Sequence, residues 1–184
     1  MKVIAADVGN LTDARYFAAR EVAFLCFDIQ QIDDTFAVQR ATAIAEWLEG
    51  PVFAVPVNQA TRLASLHPGA VIYRNSDLYI AGLPGDLIKI YQTDWAAFDS
   101  EYAAELEAEI YWIQVSSLME QDTLIELCKN YPVYIEFYMP LTEAKKAIEL
   151  LQPEGIVLRG GAEEKPGFKS FDELDEWFDE LVEE

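Results

Sequence analysis

Apolar runs of strand length alternate with stretches of helical period along the whole 184-residue chain. The first run, Lys2-Val3-Ile4-Ala5-Ala6, breaks at Gly9-Asn10 and feeds Leu11-Thr12-Asp13-Ala14-Arg15-Tyr16-Phe17-Ala18-Ala19. That is the layout of a strand-to-helix turn. Asn10 is a favoured N-cap, and Asp13 stands in the first turn, where negative charge is stabilised. The same alternation predicts strands over 2–6, 22–28, 51–57, 70–74, 87–92, 109–115, 132–138 and 155–159. It predicts helices over 11–20, 34–49, 59–66, 94–108, 119–130, 141–151 and 171–183. Residues 75–86, NSDLYIAGLPGD, are too few and too rich in Gly and Pro for a full helix, so the fourth helix is expected to be a loop or a single turn.

Strand–helix alternation implies parallel strands joined by right-handed crossovers. Eight strands in this order predict a compact (β/α)8 TIM barrel, one domain over 1–184. The competing arrangement is an open doubly wound sheet with fewer strands. The last helical stretch, FDELDEWFDELVEE, sets Phe171, Leu174, Trp177, Phe178 and Leu181 at helical spacing with acids between them, and Ser170 with Glu173 forms a capping-box pattern.

Hydrophobic residues make up 52% of the chain, which excludes general disorder. No apolar run approaches the roughly 20 residues a membrane helix needs, and the start lacks a signal-peptide pattern, so a cytoplasmic protein is expected. Cys26 and Cys128 are expected to be buried, reduced thiols. The net charge of −20 repels nucleic acid and anionic membranes, so neither is an expected partner. It also opposes phosphorylated ligands unless a local site overrides it. The chain has no GxGxxG, no GxxxxGK[ST], no zinc spacing of Cys and His, and no Asp-x-Asp-x-Asp-Gly loop; no cofactor and no metal is expected. The single histidine, His67, precedes the fourth strand, on the barrel side that serves stability.

Acids gather at the expected C-terminal strand ends: Asp7, Asp28, Asp77, Asp94 and Glu136. Barrel active sites lie on that rim. Asp94 and Asp28 also suit helix starts. Glu136 shares its strand face with Tyr134 and Tyr138, and a carboxylate buried there needs a partner. Lys89 on the fifth strand is the candidate partner, in either a core ion pair or a catalytic pair.

Three blocks carry a family likeness. KVIAADVGNLTDARYFAAREVAFLCFD, VFAVPVNQA and GIVLRGGAEEKPGFKSFDEL resemble, in order, the first two strands, the third strand, and the eighth strand with the final helix of phosphoribosylanthranilate isomerases. In that family the first strand ends in Cys-Gly before a Thr/Asn-Leu-x-Asp-Ala turn, which Asn10 to Ala14 match. The resemblance implies a (β/α)8 barrel that opens the ribose ring of phosphoribosylanthranilate by an Amadori rearrangement in tryptophan biosynthesis. A general base and a general acid act on opposite sides of the sugar.

Carried over residue by residue, the base position falls on Ala6 and the following glycine on Asp7. The acid position falls on Ser116, or on Val115 or Gln114 if the register slips. None of these is the family's ionisable group. Asp7 is one residue late, a shift expected to turn a strand side chain to the other face. Phe137-Tyr138-Met139-Pro140 replace a Gly-Gly pair, IQQIDD lacks the substrate-binding arginine, and Asn75-Ser76 replace His-Gly. The eighth-strand loop keeps its pattern, so Gly160 and Gly161 are the expected phosphate-binding residues, with Lys165 and Lys169 nearby. The expected function is an isomerase-like barrel inactive in the family's rearrangement, a binding module or pseudoenzyme. Its partner would be a phosphorylated small molecule or a protein. The alternative is an active isomerase of phosphoribosylanthranilate or another phosphorylated sugar, using Asp7, Glu136 or Lys89.

Overall fold

β1 (Lys2–Ala6) pairs in parallel with β2 (Phe24–Cys26) on one side and with β8 (Gly155–Arg159) on the other. That second pairing closes the sheet. A computed structural model describes residues 1–27, 35–75, 77, 86–118, 121–161, 164, 165 and 169–181. Between β2 and β8 stand β3 (Val52–Pro56), β4 (Ala70–Tyr73), β5 (Ile88–Asp94), β6 (Ile110–Val115) and β7 (Val133–Phe137), in sequence order around a closed eight-stranded barrel. The open doubly wound sheet is thereby excluded.

Around the barrel lie α1 (Leu11–Ala19), α2 (Thr35–Ala45), α3 (Ser100–Leu106), α4 (Gln121–Asn130), α5 (Leu141–Leu151) and α6 (Asp172–Leu181). Asn10 caps α1 as expected, its Oδ1 accepting the Asp13 N–H at 2.8 Å. Two expected helices differ. The stretch 59–66 folds as two 3₁₀ turns, Val57–Gln59 and Ala64–Leu66, before Pro68. A 3₁₀ turn rises about 2.0 Å per residue against about 1.5 Å in an α-helix, so this short crossover returns along the barrel with few residues. The expected helix 94–108 splits into a 3₁₀ turn, Trp95–Ala97, and α3, because the Asp99 side chain takes the Glu101 and Tyr102 N–H groups and starts the helix there. The capping box at Ser170 is also different: Ser170 Oγ accepts from Asp172, and the Ser170 N–H donates to Glu164 rather than to Glu173. Most of the expected fourth-helix segment, 75–86, lies outside the described residues.

Alternate strand residues divide the core. Ile4, Phe24, Ile72, Ile90, Trp112 and Tyr134 fill the barrel interior, while Val3, Leu25, Val55, Tyr91, Ile135 and Ile156 pack outward under the helices. The Tyr134 ring occupies so much of the interior that a Cβ on Gly155 would lie 2.6 Å from it and 2.4 Å from the Lys2 carbonyl. No described helix is long and apolar enough to cross a membrane.

Candidate functional site at the barrel mouth

The C-terminal ends of β6, β7, β8 and β1 bring their inward-facing side chains to one mouth. Strand register sets Gln114 beside Glu136, and Ala6 beside Arg159. Glu136 is 4% exposed, and a carboxylate so buried requires compensation. It receives it from four side chains. Trp112 Nε1 and Gln114 Nε2 each donate to Oε2 at 2.9 Å, and the Tyr138 hydroxyl donates to Oε1 at 2.7 Å. Arg159 donates through Nε to Oε1 and through Nη2 to Oε2, a two-pronged clamp. Burial alone would push the Glu136 pKa up. Hydrogen bonds from Arg159, Gln114 and Tyr138, with the Arg159 charge, outweigh it and hold the carboxyl below its usual range.

The third arm of Arg159, Nη1, donates to Asp7 Oδ2 at 2.9 Å. Asp7 reaches it because the backbone leaves the strand with φ 55°, in the left-handed region that Asp tolerates better than most residues. Strand alternation stops applying at that residue. The expectation that Asp7 faces away is therefore corrected: Asp7 and Glu136 converge on one guanidinium. Burial lowers the Arg159 pKa, but the Glu136 and Asp7 contacts raise it further, so the guanidinium stays charged.

Lys89 does not join this cluster. It lies on the outward face of β5 and donates to the Leu106 carbonyl at 3.0 Å, with Glu107 at 3.5 Å. The expected Lys89–Glu136 pair is replaced by Arg159–Glu136. Ala6, at the family's base position, is buried in the barrel interior, and Ser116 is exposed just beyond β6. Asp77 accepts from the Arg74 N–H and closes a local turn; Asp94 is exposed at the end of β5; Asp28 lies outside the described residues.

A second cluster forms where the β8 loop meets α1. The Asp13 carboxylate, 0% exposed, accepts from the Gly161 N–H at 2.9 Å, from Asn10 Nδ2 at 2.9 Å and from Lys169 Nζ at 2.7 Å. Gly160 donates its N–H to the Ala6 carbonyl at 2.7 Å and packs so close to Asp13 that a Cβ would lie 2.7 Å from Oδ2. The two N–H groups expected to face an anion are thus directed at acceptors within the chain. Asp13, read from sequence as a helix-start acid, is also the lock that joins α1 to the β8 loop.

Between the two clusters opens a cleft of about 410 Å³. Its walls include Glu136, Tyr138, Arg159, Gly161, Lys169 and Trp177. Arg159 and Lys169 bring positive charge to it, yet each is already matched by a carboxylate. Among the described residues no group of three or more His, Cys, Asp or Glu side chains is placed to hold a metal ion.

Sequence reading missed Arg159, Trp112, the role of Gln114 as a donor to Glu136 and the buried role of Asp13. Strand parity would have found the first three, since Arg159 alternates with Gly155 and Val157, and Gln114 with Trp112. The turn at Asp7 left only the weak signal that Asp tolerates a positive φ.

No protein-family model matches this chain, and no curated protein matches it in sequence. Solved structures do match in shape. The chain is similar to phosphoribosyl anthranilate isomerase from Thermus thermophilus, with a TM-score of 0.72 and 17% identity, covering 99% of this chain and 98% of that one. The isomerase from Thermococcus kodakaraensis matches with a TM-score of 0.68 and 14% identity over 100% and 99%. A phosphoribosyl anthranilate isomerase in complex with reduced 1-(o-carboxyphenylamino)-1-deoxyribulose 5-phosphate matches at 0.62 and 14% over 94% and 93%. These likenesses show a shared barrel fold along nearly the whole chain.

Proposed function

We propose that this chain is an isomerase-like barrel that binds a small molecule at its C-terminal mouth and does not perform the Amadori rearrangement of phosphoribosylanthranilate. The observation that carries this reading is the Asp7–Arg159–Glu136 cluster. General acid–base work needs groups that change protonation near the working pH and reach the substrate. Glu136 is buried, ionised and surrounded by donors. Asp7 binds the same guanidinium. Ala6 offers no proton at all. The mouth is built as a fixed electrostatic structure rather than as a proton relay. The cleft beside it has a volume within the usual range of about 300–1,000 Å³ for small-molecule pockets.

Phosphate is the expected ligand group by resemblance, at Gly160 and Gly161. Binding there must compete with Asp13 for the Gly161 N–H and for Lys169, so we propose a weak subsite at most. The second reading, an active isomerase of phosphoribosylanthranilate or another phosphorylated sugar, has one observation in its favour: the left-handed turn delivers the Asp7 carboxylate to the mouth.

Complementation separates the two. Expressed in a bacterial strain lacking phosphoribosylanthranilate isomerase, the chain should fail to restore growth without tryptophan. Restored growth that Asp7→Asn abolishes, with the variant still expressed and folded, would establish the second reading instead.

A further inference from the structure

The cleft at the barrel mouth is walled by Glu136, Arg159, Lys169 and Glu173 among charged residues, and the first three of these are already committed. Arg159 spends Nε, Nη1 and Nη2 on Glu136 and Asp7, and Glu136 is ringed by donors. Lys169 donates to Asp13 at 2.7 Å and stands 5.4 Å over the Phe171 ring. Glu173 differs. It is exposed, and among the described residues nothing pairs with it. The capping box that would occupy it is closed by Glu164, which takes the Ser170 N–H. The uncommitted charge in this cleft is therefore a carboxylate.

The surroundings lean the same way. Arg159 and Lys169 stand against Glu136, Glu173, Asp7 and Asp13, so carboxylates outnumber cations within a chain that carries −20. On the flanking loop exposed Glu164 and Lys165 offset each other, and the sequence adds Glu163. The first turn of α6 carries Asp172, Glu173 and Asp175, so the chain's own acids answer the positive end of that helix. Arg74, at the end of β4 across the barrel, donates to Gln92 and is not a wall of this cleft. A phosphorylated ligand here meets donors that are engaged and a field of its own sign.

Aromatic rings complete the cleft. Trp177 follows Glu173 by one helical turn, which sets both on one face of α6. Phe137 backs the indole, with ring centroids 6.4 Å apart and 19° between the planes. Tyr138 is 53% exposed, and its hydroxyl is tied to Glu136 at 2.7 Å, which fixes the ring at the mouth. Aromatic faces attract cations, best of all the indole face, and a neighbouring carboxylate adds the counter-charge. We propose that this cleft takes a small organic cation, an alkylammonium group held between Trp177 and Tyr138 with Glu173 as its counter-charge. The inference rests on the reading of the mouth as a small-molecule site and assigns the charge class of the ligand. A bare metal ion does not fit the same walls, because a hard cation requires about six oxygen ligands and the uncommitted carboxylate is single.

Three probes titrated against the amide and indole NMR signals of the full chain test this: choline, its uncharged carbon isostere 3,3-dimethylbutan-1-ol, and ribose 5-phosphate. Choline should shift Gly161, Leu174 and the Trp177 indole, and should bind at least about fivefold more tightly than either of the others. Raising NaCl from about 50 to about 500 mM should weaken choline and leave the alcohol unchanged. Glu173→Gln should weaken choline about fivefold or more without moving the alcohol, and circular dichroism should be unchanged because Glu173 is exposed and unpaired. Trp177→Leu, checked for folding in the same way, should weaken choline further. Equal binding of choline and the alcohol, tighter binding of ribose 5-phosphate, or choline binding indifferent to Glu173→Gln overturns the cation assignment and leaves the mouth a small-molecule site. Shifts from none of the three probes overturn the assignment and count against the small-molecule reading as well.

Discussion

Arg159 Nη1 lies 2.9 Å from Asp7 Oδ2, although 152 positions separate the two residues in sequence. Barrel closure explains the meeting: β8 pairs with β1 so that Arg159 stands beside Ala6, and the left-handed backbone at Asp7 turns its carboxylate back over the end of the strand. With Glu136 on the other side, the guanidinium ties β7, β8 and β1 together at the mouth.

Replacing Arg159 should therefore destabilise the barrel. Breaking a buried ion pair by deleting one partner costs about 3–5 kcal/mol, and the 37% exposure of the Arg159 side chain reduces this to about 2–3 kcal/mol. Urea unfolding of Arg159→Met should show that loss. Adding Glu136→Gln to it should recover most of the stability, because the uncompensated charge is gone. Equal instability of the single and double variants would contradict the pairing.

Acid should act through the same group. The Glu136 pKa is lowered in the folded state, so its contribution is complete above the unfolded value of about 4.3 and is lost as pH falls below that value through the folded pKa. Between about pH 6 and pH 3, the wild type should lose more stability than Glu136→Gln, with the difference developing below about pH 4.3. Parallel stability curves for the two proteins would remove Glu136 from the account of acid sensitivity.

Cys128, on α4, should be a slow nucleophile. Burial pushes its pKa up to about 11. At pH 8 its thiolate fraction, and hence its alkylation rate, should be roughly 100-fold below that of a free cysteine with a pKa near 8.5. Iodoacetamide labelling followed by peptide mass mapping measures this, and rapid modification of Cys128 in the folded protein would contradict it.

Phosphate should bind weakly at the β8 loop, since Asp13 already takes the Gly161 N–H. Ribose 5-phosphate titrated against the amide NMR spectrum should shift Gly160 and Gly161 only toward a dissociation constant of about 1 mM or weaker, worth about 4 kcal/mol. Micromolar saturation would mean that the loop rearranges to release those donors.

The barrel was legible in the sequence because its signals are local and repeated. Each strand has its apolar run, each helix its period, and Asn10 caps α1 where the pattern placed it. Two features were not legible for identifiable reasons. The crossover 57–66 has helical spacing but too few residues before Pro68, so the distance it must cover decided its form. The mouth was not legible because two local rules fail there. Asp7 was given strand geometry one residue past the point where the strand ends. Glu136 was paired with Lys89 by charge alone, although the parity of β5 turns Lys89 outward. Arg159 ends the expected strand 155–159 and carries no role in the sequence reading, yet it is the last inward position of β8. The Gly160-Gly161 pair has the look of an anion site because one of its N–H groups, that of Gly161, does meet an anion, the chain's own Asp13, while the Gly160 N–H goes to the Ala6 carbonyl.

The central claim is that this mouth holds charges in place and moves no protons in the family's reaction. The most direct measurement follows the fluorescence loss of freshly generated phosphoribosylanthranilate on adding the purified protein. No turnover above the uncatalysed background is expected, because positioned acid and base groups each supply about 10²–10⁴-fold and neither family position carries one. Turnover near about 1 s⁻¹, within the ordinary enzyme range, and lost in Asp7→Asn, would contradict the claim and make Asp7 a catalytic residue.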